Sequence, residues 1–183
     1  IGAVVRLAPI KDVKTMIYAF FELHERLPKV RLHIMGGVDD EEYGAECHAL
    51  VETLGVRDLI FTGRVNVVEY MEKLDFTILT SISEGQPLSV LESLGARRPC
   101  VTTEVGCCRE LLEGAPGDDF GVAGFVSPPM YRKGLADAME RMCASRARRL
   151  EMGERGQRRV ATYYLHEQML ANYRALYDET ARA

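Results

Sequence analysis

Short apolar runs recur along the chain, and longer segments with helical periodicity separate them. The runs are Ala3–Leu7, Arg31–Met35, Leu59–Thr62, Phe76–Thr80, Cys100–Thr103 and Gly124–Val126. They are mainly apolar rather than alternating with polar residues, as expected for strands covered on both faces. Strands that alternate with helices pair in parallel through crossover connections. The expected architecture is therefore α/β, a Rossmann-like parallel sheet of about six strands with helices on both faces.

The intervening segments support this. Met16, Phe20, Leu23 and Leu27 form one apolar stripe at helical spacing, and Pro28 ends it. Leu88, Leu91 and Leu94 form a second stripe, with Pro87 suited to the first helical position. Leu135, Met139 and Met142 form a third. From about Arg148 the tail reads as two helices broken near Tyr164, with Met169, Tyr173, Leu176 and Thr180 along one face of the last. Gly114–Gly124 is the clearest loop.

With 183 residues, 47% of them hydrophobic, the chain suits one domain with a substantial core. The net charge of −4 gives no reason to expect nucleic-acid affinity, though it allows a local basic pocket for a phosphorylated ligand. The arginines of the tail (Arg146, Arg148, Arg149, Arg155, Arg158, Arg159) are interspersed with Glu140, Glu151 and Glu154 and read as a solvated helix face. The five cysteines include no C-x-x-C pair, and no histidines pair as H-E-x-x-H, so no metal site is expected. Reduced thiols point to the cytoplasm, and no run approaches the length of a membrane span. The opening Ile1-Gly2-Ala3-Val4-Val5 reads as a core strand, which suggests a piece of a longer protein.

Glycines collect where strands end (Gly36-Gly37, Gly63, Gly85, Gly106), marking one rim of the domain. In open α/β sheets that rim is where ligands meet helix N-termini. Four constellations lie on it. Ser81 to Glu92 follows a strand and opens a helix, so the amides of Leu88 and Ser89 lack intrahelical partners and can take a phosphate. Glu92 leans back toward that first turn, within reach of a ribose diol, and Glu84 sits in the turn itself. In a chain with 18 glutamates the spacing of the two carries little; the strand-to-helix context carries more. Arg6 and Lys11 share a second strand-end loop, where two cations can neutralise a pyrophosphate. If that pyrophosphate leaves, its growing charge is what they stabilise. Thr62-Gly63-Arg64-Val65 is a third rim loop, with Arg64 as a candidate plane for a nucleobase. Glu104 to Leu111 is the fourth. Cys107 lies near a helix start, but no histidine is placed beside it as a base, which argues against a nucleophile.

In this order the four constellations resemble the C-terminal domain of the family-4 retaining glycosyltransferases of GT-B architecture. The tail Met152-Gly153-Glu154-Arg155-Gly156 is similar to that family's closing segment. Arg-Leu-x-Pro-Ile-Lys-Asp, Val-Gly-x-Cys-Arg-Glu-Leu and Ala-Gly-x-Val-x-Pro-Pro together look like the Pel exopolysaccharide glycosyltransferases, which resemble UDP-glucose users.

The resemblance implies a nucleotide-sugar-binding domain over residues 1–183, with the acceptor-binding N-terminal domain absent. It implies that Arg6 and Lys11 bind the donor diphosphate, that Glu84 approaches the sugar and that Glu92 holds the ribose. It further implies donor contacts along Gly85, Gln86, Pro87, Leu88 and Ser89, with Arg64 beside them. No metal or cofactor is implied; the ligand is a UDP-sugar, transferred with retention to a saccharide. This chain departs from the family pattern at Val5, Asp12 and Cys107, each standing where the family usually has glycine. The other readings are a UDP-sugar epimerase of the same architecture and a non-catalytic nucleotide-binding module.

Overall fold

The computed structural model describes residues 1–182, with side chains through Thr180. Six strands form one fully parallel sheet: β1 (Gly2–Val4), β2 (Leu32–Met35), β3 (Leu59–Gly63), β4 (Thr77–Leu79), β5 (Cys100–Thr103) and β6 (Gly124–Ser127). The expected parallel α/β sheet is therefore what forms, and each strand falls within one residue of its expected limits except β1, which ends three residues before Leu7. Beyond β1 the chain remains extended: Val5 N–H donates to the Met35 carbonyl, and Leu7 bridges to Val38.

Eight helices connect and flank the strands: α1 (Val13–Arg26), α2 (Glu41–Leu54), α3 (Val67–Met71), α4 (Leu88–Gly95), α5 (Cys108–Glu113), α6 (Arg132–Cys143), α7 (Arg146–Tyr163) and α8 (His166–Arg182). The break between α7 and α8 lies at Tyr164, as the tail predicts. Adjacent strand residues point to opposite faces, so the sheet buries two cores. In β4, Ile78 joins the core shared by α1, α2 and α6, whereas Leu79 joins the one under α4 and α5. The Met16, Phe20 and Leu23 stripe of α1 is wholly buried, as is the Leu135, Met139 and Met142 stripe of α6.

Three expectations need correction. Leu88 is 68% exposed, so α4 does not bury the Leu88-Leu91-Leu94 stripe; its buried residues are Val90, Ser93 and Leu94. Pro87 is the cap before α4 rather than its first residue. The solvated arginine face also fails at Arg149, whose side chain is 14% exposed, and most fully at Arg159. Arg159 is fully buried, with its guanidinium donating to Asp118, to the Leu111 and Leu112 carbonyls and to the Gly121 carbonyl. It ties the loop between α5 and β6 to the end of α5. A planar guanidinium with five donors suits such a convergence of acceptors.

The strand order is β3-β2-β1-β4-β5-β6. Connections from β1 run one way across the sheet and those from β4 run the other, so a crevice opens between the carboxyl ends of β1 and β4.

Candidate functional site

The crevice between β1 and β4 receives the loops that carry Arg6, Lys11 and Glu84. A single 3-10 turn, Pro9–Lys11, follows the β1 extension, and Asp12 then caps α1. Asp12 adopts a left-handed conformation, φ 46° and ψ 49°, and its Oδ1 accepts from the Thr15 amide at 3.3 Å. That backbone explains why glycine is usual at this position. Aspartate tolerates it because its short side chain bonds locally. Its second carboxylate oxygen, Oδ2, is buried without a protein partner.

Lys11 reaches across to Glu84, with Nζ 2.6 Å from Oε1 and both side chains largely covered. Ser81 donates to the same oxygen at 2.6 Å. The loop after β5 secures the Glu84-Gly85 turn from the other side. Cys107 N–H donates to the Gly85 carbonyl, and Gly106 has φ +51°. A side chain at Gly106 would put Cβ 2.2 Å from the Gly85 oxygen and 2.3 Å from that of Glu84. Cys107 itself has φ −89°, so the second family glycine is not required there. Burial raises the Cys107 thiol above its ordinary value, with Glu110 adding to the effect, so it is not an activated nucleophile.

A cleft of about 610 Å³ opens at this crevice and is lined by Arg6, Lys11, Arg64, Glu84, Gln86, Pro87, Leu88 and Ser89. Eight of the ten residues singled out from the sequence therefore meet in one cavity. Gly85 contributes its backbone to the turn, and Glu92 borders an adjoining groove of about 650 Å³ under α8. Gln86 and Leu88 line both. At about 100° per residue, Glu92 lies angularly between Leu88 and Ser89 on the exposed ridge of α4. The α4 first turn matches expectation: Val90 N–H bonds the Pro87 carbonyl, while the Leu88 and Ser89 amides precede the first intrahelical acceptor. Arg6 is exposed and paired with Asp39 at 2.6 Å, on the lip of the cleft.

Val4, Val5, Met35, Gly36, Val65 and Val67 complete the lining. Gly36 permits a close crossing, because a Cβ there would meet the Val5 carbonyl oxygen at 2.0 Å. The strand-end glycine and the rim loop ending in Val65 signalled this wall in the sequence; Val4, Met35 and Val67 looked like any other core positions. Among the described residues no group of three or more His, Cys, Asp or Glu side chains could hold a metal ion, and no helix is long and apolar enough to cross a membrane.

Comparison with known proteins agrees with this geometry. Among solved structures, Anabaena HepE in complex with UDP and glucose superposes with a TM-score of 0.83 at 21% identity, over 95% of this chain and 47% of that one. The C-terminal domain of the glycosyl transferase group 1 family protein LpcC from Francisella tularensis gives a TM-score of 0.78 at 20% identity, over 90% and 85%. N-acetyl-alpha-D-glucosaminyl L-malate synthase of Bacillus anthracis is 25% identical over 175 residues, 94% of this chain and 43% of that protein. The O-antigen biosynthesis glycosyltransferase WbnH of Escherichia coli is 35% identical over 88 residues, 48% of this chain and 24% of that protein. The chain thus spans less than half the length of these curated relatives. The profile of the glycosyl transferases group 1 family matches residues 1–145, and the chain belongs to that family.

Proposed function

We propose that this chain is the donor-binding domain of a retaining hexosyltransferase that uses a nucleoside diphosphate sugar, UDP-glucose in the first instance. The observation that carries the reading is the convergence of Lys11, Glu84 and the free α4 amides on one cleft at the sheet's switch point. The diphosphate lies on the Leu88 and Ser89 amides, where the helix dipole favours negative charge. Arg6 swings from Asp39, and Lys11 from Glu84, to stabilise the departing UDP. Two cations and a helix terminus supply the positive charge, so the reading invokes no metal. Glu92 turns from the α4 ridge to the ribose, Arg64 flanks the base, and Glu84 faces the sugar. UDP and glucose in the HepE structure, whose fold this chain shares, support this choice of donor.

A second domain, outside residues 1–183, supplies the saccharide acceptor. The O-antigen role of WbnH supports synthesis of an exopolysaccharide or other surface glycan. All five cysteines are unpaired, in keeping with work in the cytoplasm.

Calorimetric titration with UDP, GDP, ADP and UDP-glucose tests the reading, repeated with Glu92→Ala. Selective UDP binding that weakens roughly ten- to a hundredfold in the variant is expected from the loss of a charged hydrogen bond. Equal binding of all nucleotides, or none, counts against it. Epimerised UDP-sugar in the mixture would instead favour an epimerase.

A further inference from the structure

The end of β4 presents two adjacent hydroxyl residues, Thr80 and Ser81, both at 0% exposure. Thr80 Oγ1 lies 3.0 Å from the carbonyl oxygens of Lys11 and of Asp12. Ser81 Oγ donates to Glu84 Oε1 at 2.6 Å. The carbonyl of Ser81 in turn accepts from Thr103 Oγ1 at 2.7 Å, which joins the end of β4 to β5. One hydroxyl thus holds the main chain of the lysine, and the next holds the side chain of the glutamate.

Glu84 Oε1 accepts from both Ser81 and Lys11, whereas Oε2 accepts from no protein group among the described residues. The two donors to Oε1 differ in kind. Lys11 is a flexible cation on the wall of the cleft, and any diphosphate entering there competes for it. Ser81 is buried at a strand end, away from any entering phosphate, and its hydroxyl donates to Glu84. A carboxylate held by Lys11 alone would be freed when the lysine turns to phosphate.

We propose that Ser81 is a positioning residue for Glu84. It keeps Oε1 in place when Lys11 transfers to the diphosphate, so that Oε2 stays aimed at the sugar. This inference rests on the donor-domain reading above. It goes beyond it by naming what maintains the geometry in the loaded state, with Thr80 holding the lysine loop and Thr103 bracing Ser81 itself.

The test uses this chain with 13C-labelled glutamate, the Glu84 carboxyl resonance being assigned by its absence in Glu84→Gln. In the parent that resonance is expected to remain one sharp peak when UDP is added, displaced only by the departure of Lys11 while Ser81 stays bonded. In Ser81→Ala it is expected to shift without ligand and to broaden with UDP, as the carboxylate loses its last donor to Oε1. By calorimetry, Ser81→Ala is expected to bind UDP within about twofold of the parent. It should lose most of the affinity difference between UDP-glucose and UDP, a split that general loosening of the fold would not produce. An unmoved Glu84 resonance in Ser81→Ala overturns the proposal. If the parent binds no nucleotide, the donor reading fails, and the ligand-free resonance still decides whether Ser81 holds Glu84. Should Ser81→Ala not fold, the parent decides alone: a slowly exchanging Ser81 hydroxyl proton that persists with UDP supports the role, and its disappearance on UDP binding removes it.

Discussion

Lys11 and Glu84 stand 73 residues apart in the chain, yet Lys11 Nζ lies 2.6 Å from Glu84 Oε1. Each leaves the carboxyl end of a strand, and those strands, β1 and β4, are neighbours only because the sheet reverses its winding between them. The pair places a movable cation and a carboxylate in the same cleft as Leu88 and Ser89, which open α4.

If Lys11 serves the diphosphate, its loss should be felt by charged ligands alone. Lys11→Ala is expected to weaken UDP binding by about 1.5–3 kcal/mol, the range for a charged hydrogen bond. Uridine, which lacks phosphate, should bind the variant as it binds the parent. Parallel titrations with the two ligands check this, and equal weakening of both would point instead to a displaced loop.

Gly106 is required by its backbone and by its neighbours at once. Gly106→Ala must place a methyl against the Glu84 and Gly85 carbonyls from a left-handed conformation. The expected cost is about 1–3 kcal/mol of stability, with weaker nucleotide binding because the displaced turn carries Glu84. Cys107→Gly, one residue on, meets neither constraint and should cost only about 0.5–1 kcal/mol through chain entropy. Denaturant melts of the two variants separate these outcomes.

At Asp12 a cap and a left-handed backbone act in opposite senses. Asp12→Gly loses the bond to the Thr15 amide but gains conformational ease and removes a buried, unpartnered oxygen. It is expected to fall within about 1 kcal/mol of the parent, since glycine is itself an acceptable cap. Asp12→Val has neither cap nor freedom and should lose about 2 kcal/mol or more. Thermal unfolding of both, side by side, is the check.

Arg159 and Asp118 form a buried pair, and removing one partner strands the other. Arg159→Ala should destabilise the fold by about 3–5 kcal/mol. Arg159→Lys should recover little, because one ammonium cannot serve Asp118 and three carbonyls together. Hydrogen bonding from Arg159 holds the Asp118 carboxyl below its ordinary value. A carboxyl lowered in the folded state stabilises that state above its unfolded pKa, and the contribution disappears as pH falls through the folded value. The stability gap between the parent and Asp118→Asn should therefore be full at neutral pH and shrink only below about pH 4. Urea melts across that range would show it, and a gap independent of pH would exclude the ion pair as its source.

Much of this molecule is legible without coordinates. Apolar runs alternating with helical stripes determine a parallel α/β sheet, because strands that bury both faces need helices to cover them. Strand-end glycines and a proline-led helix mark the rim and the phosphate-binding turn, since those are local backbone requirements. The tertiary structure decided what depends on distant partners. Strand order alone brings Lys11 to Glu84, and no local pattern encodes which strands become neighbours. Burial of one guanidinium among several on α7 depends on where the loop from α5 to β6 places Asp118. The exposure of Leu88 and the placement of Glu92 on the neighbouring groove depend on how α4 rotates against the sheet and α7, which its own stripe of leucines does not specify. Local chemistry is written residue by residue; the meeting of remote side chains follows from packing the whole chain around a twisted sheet.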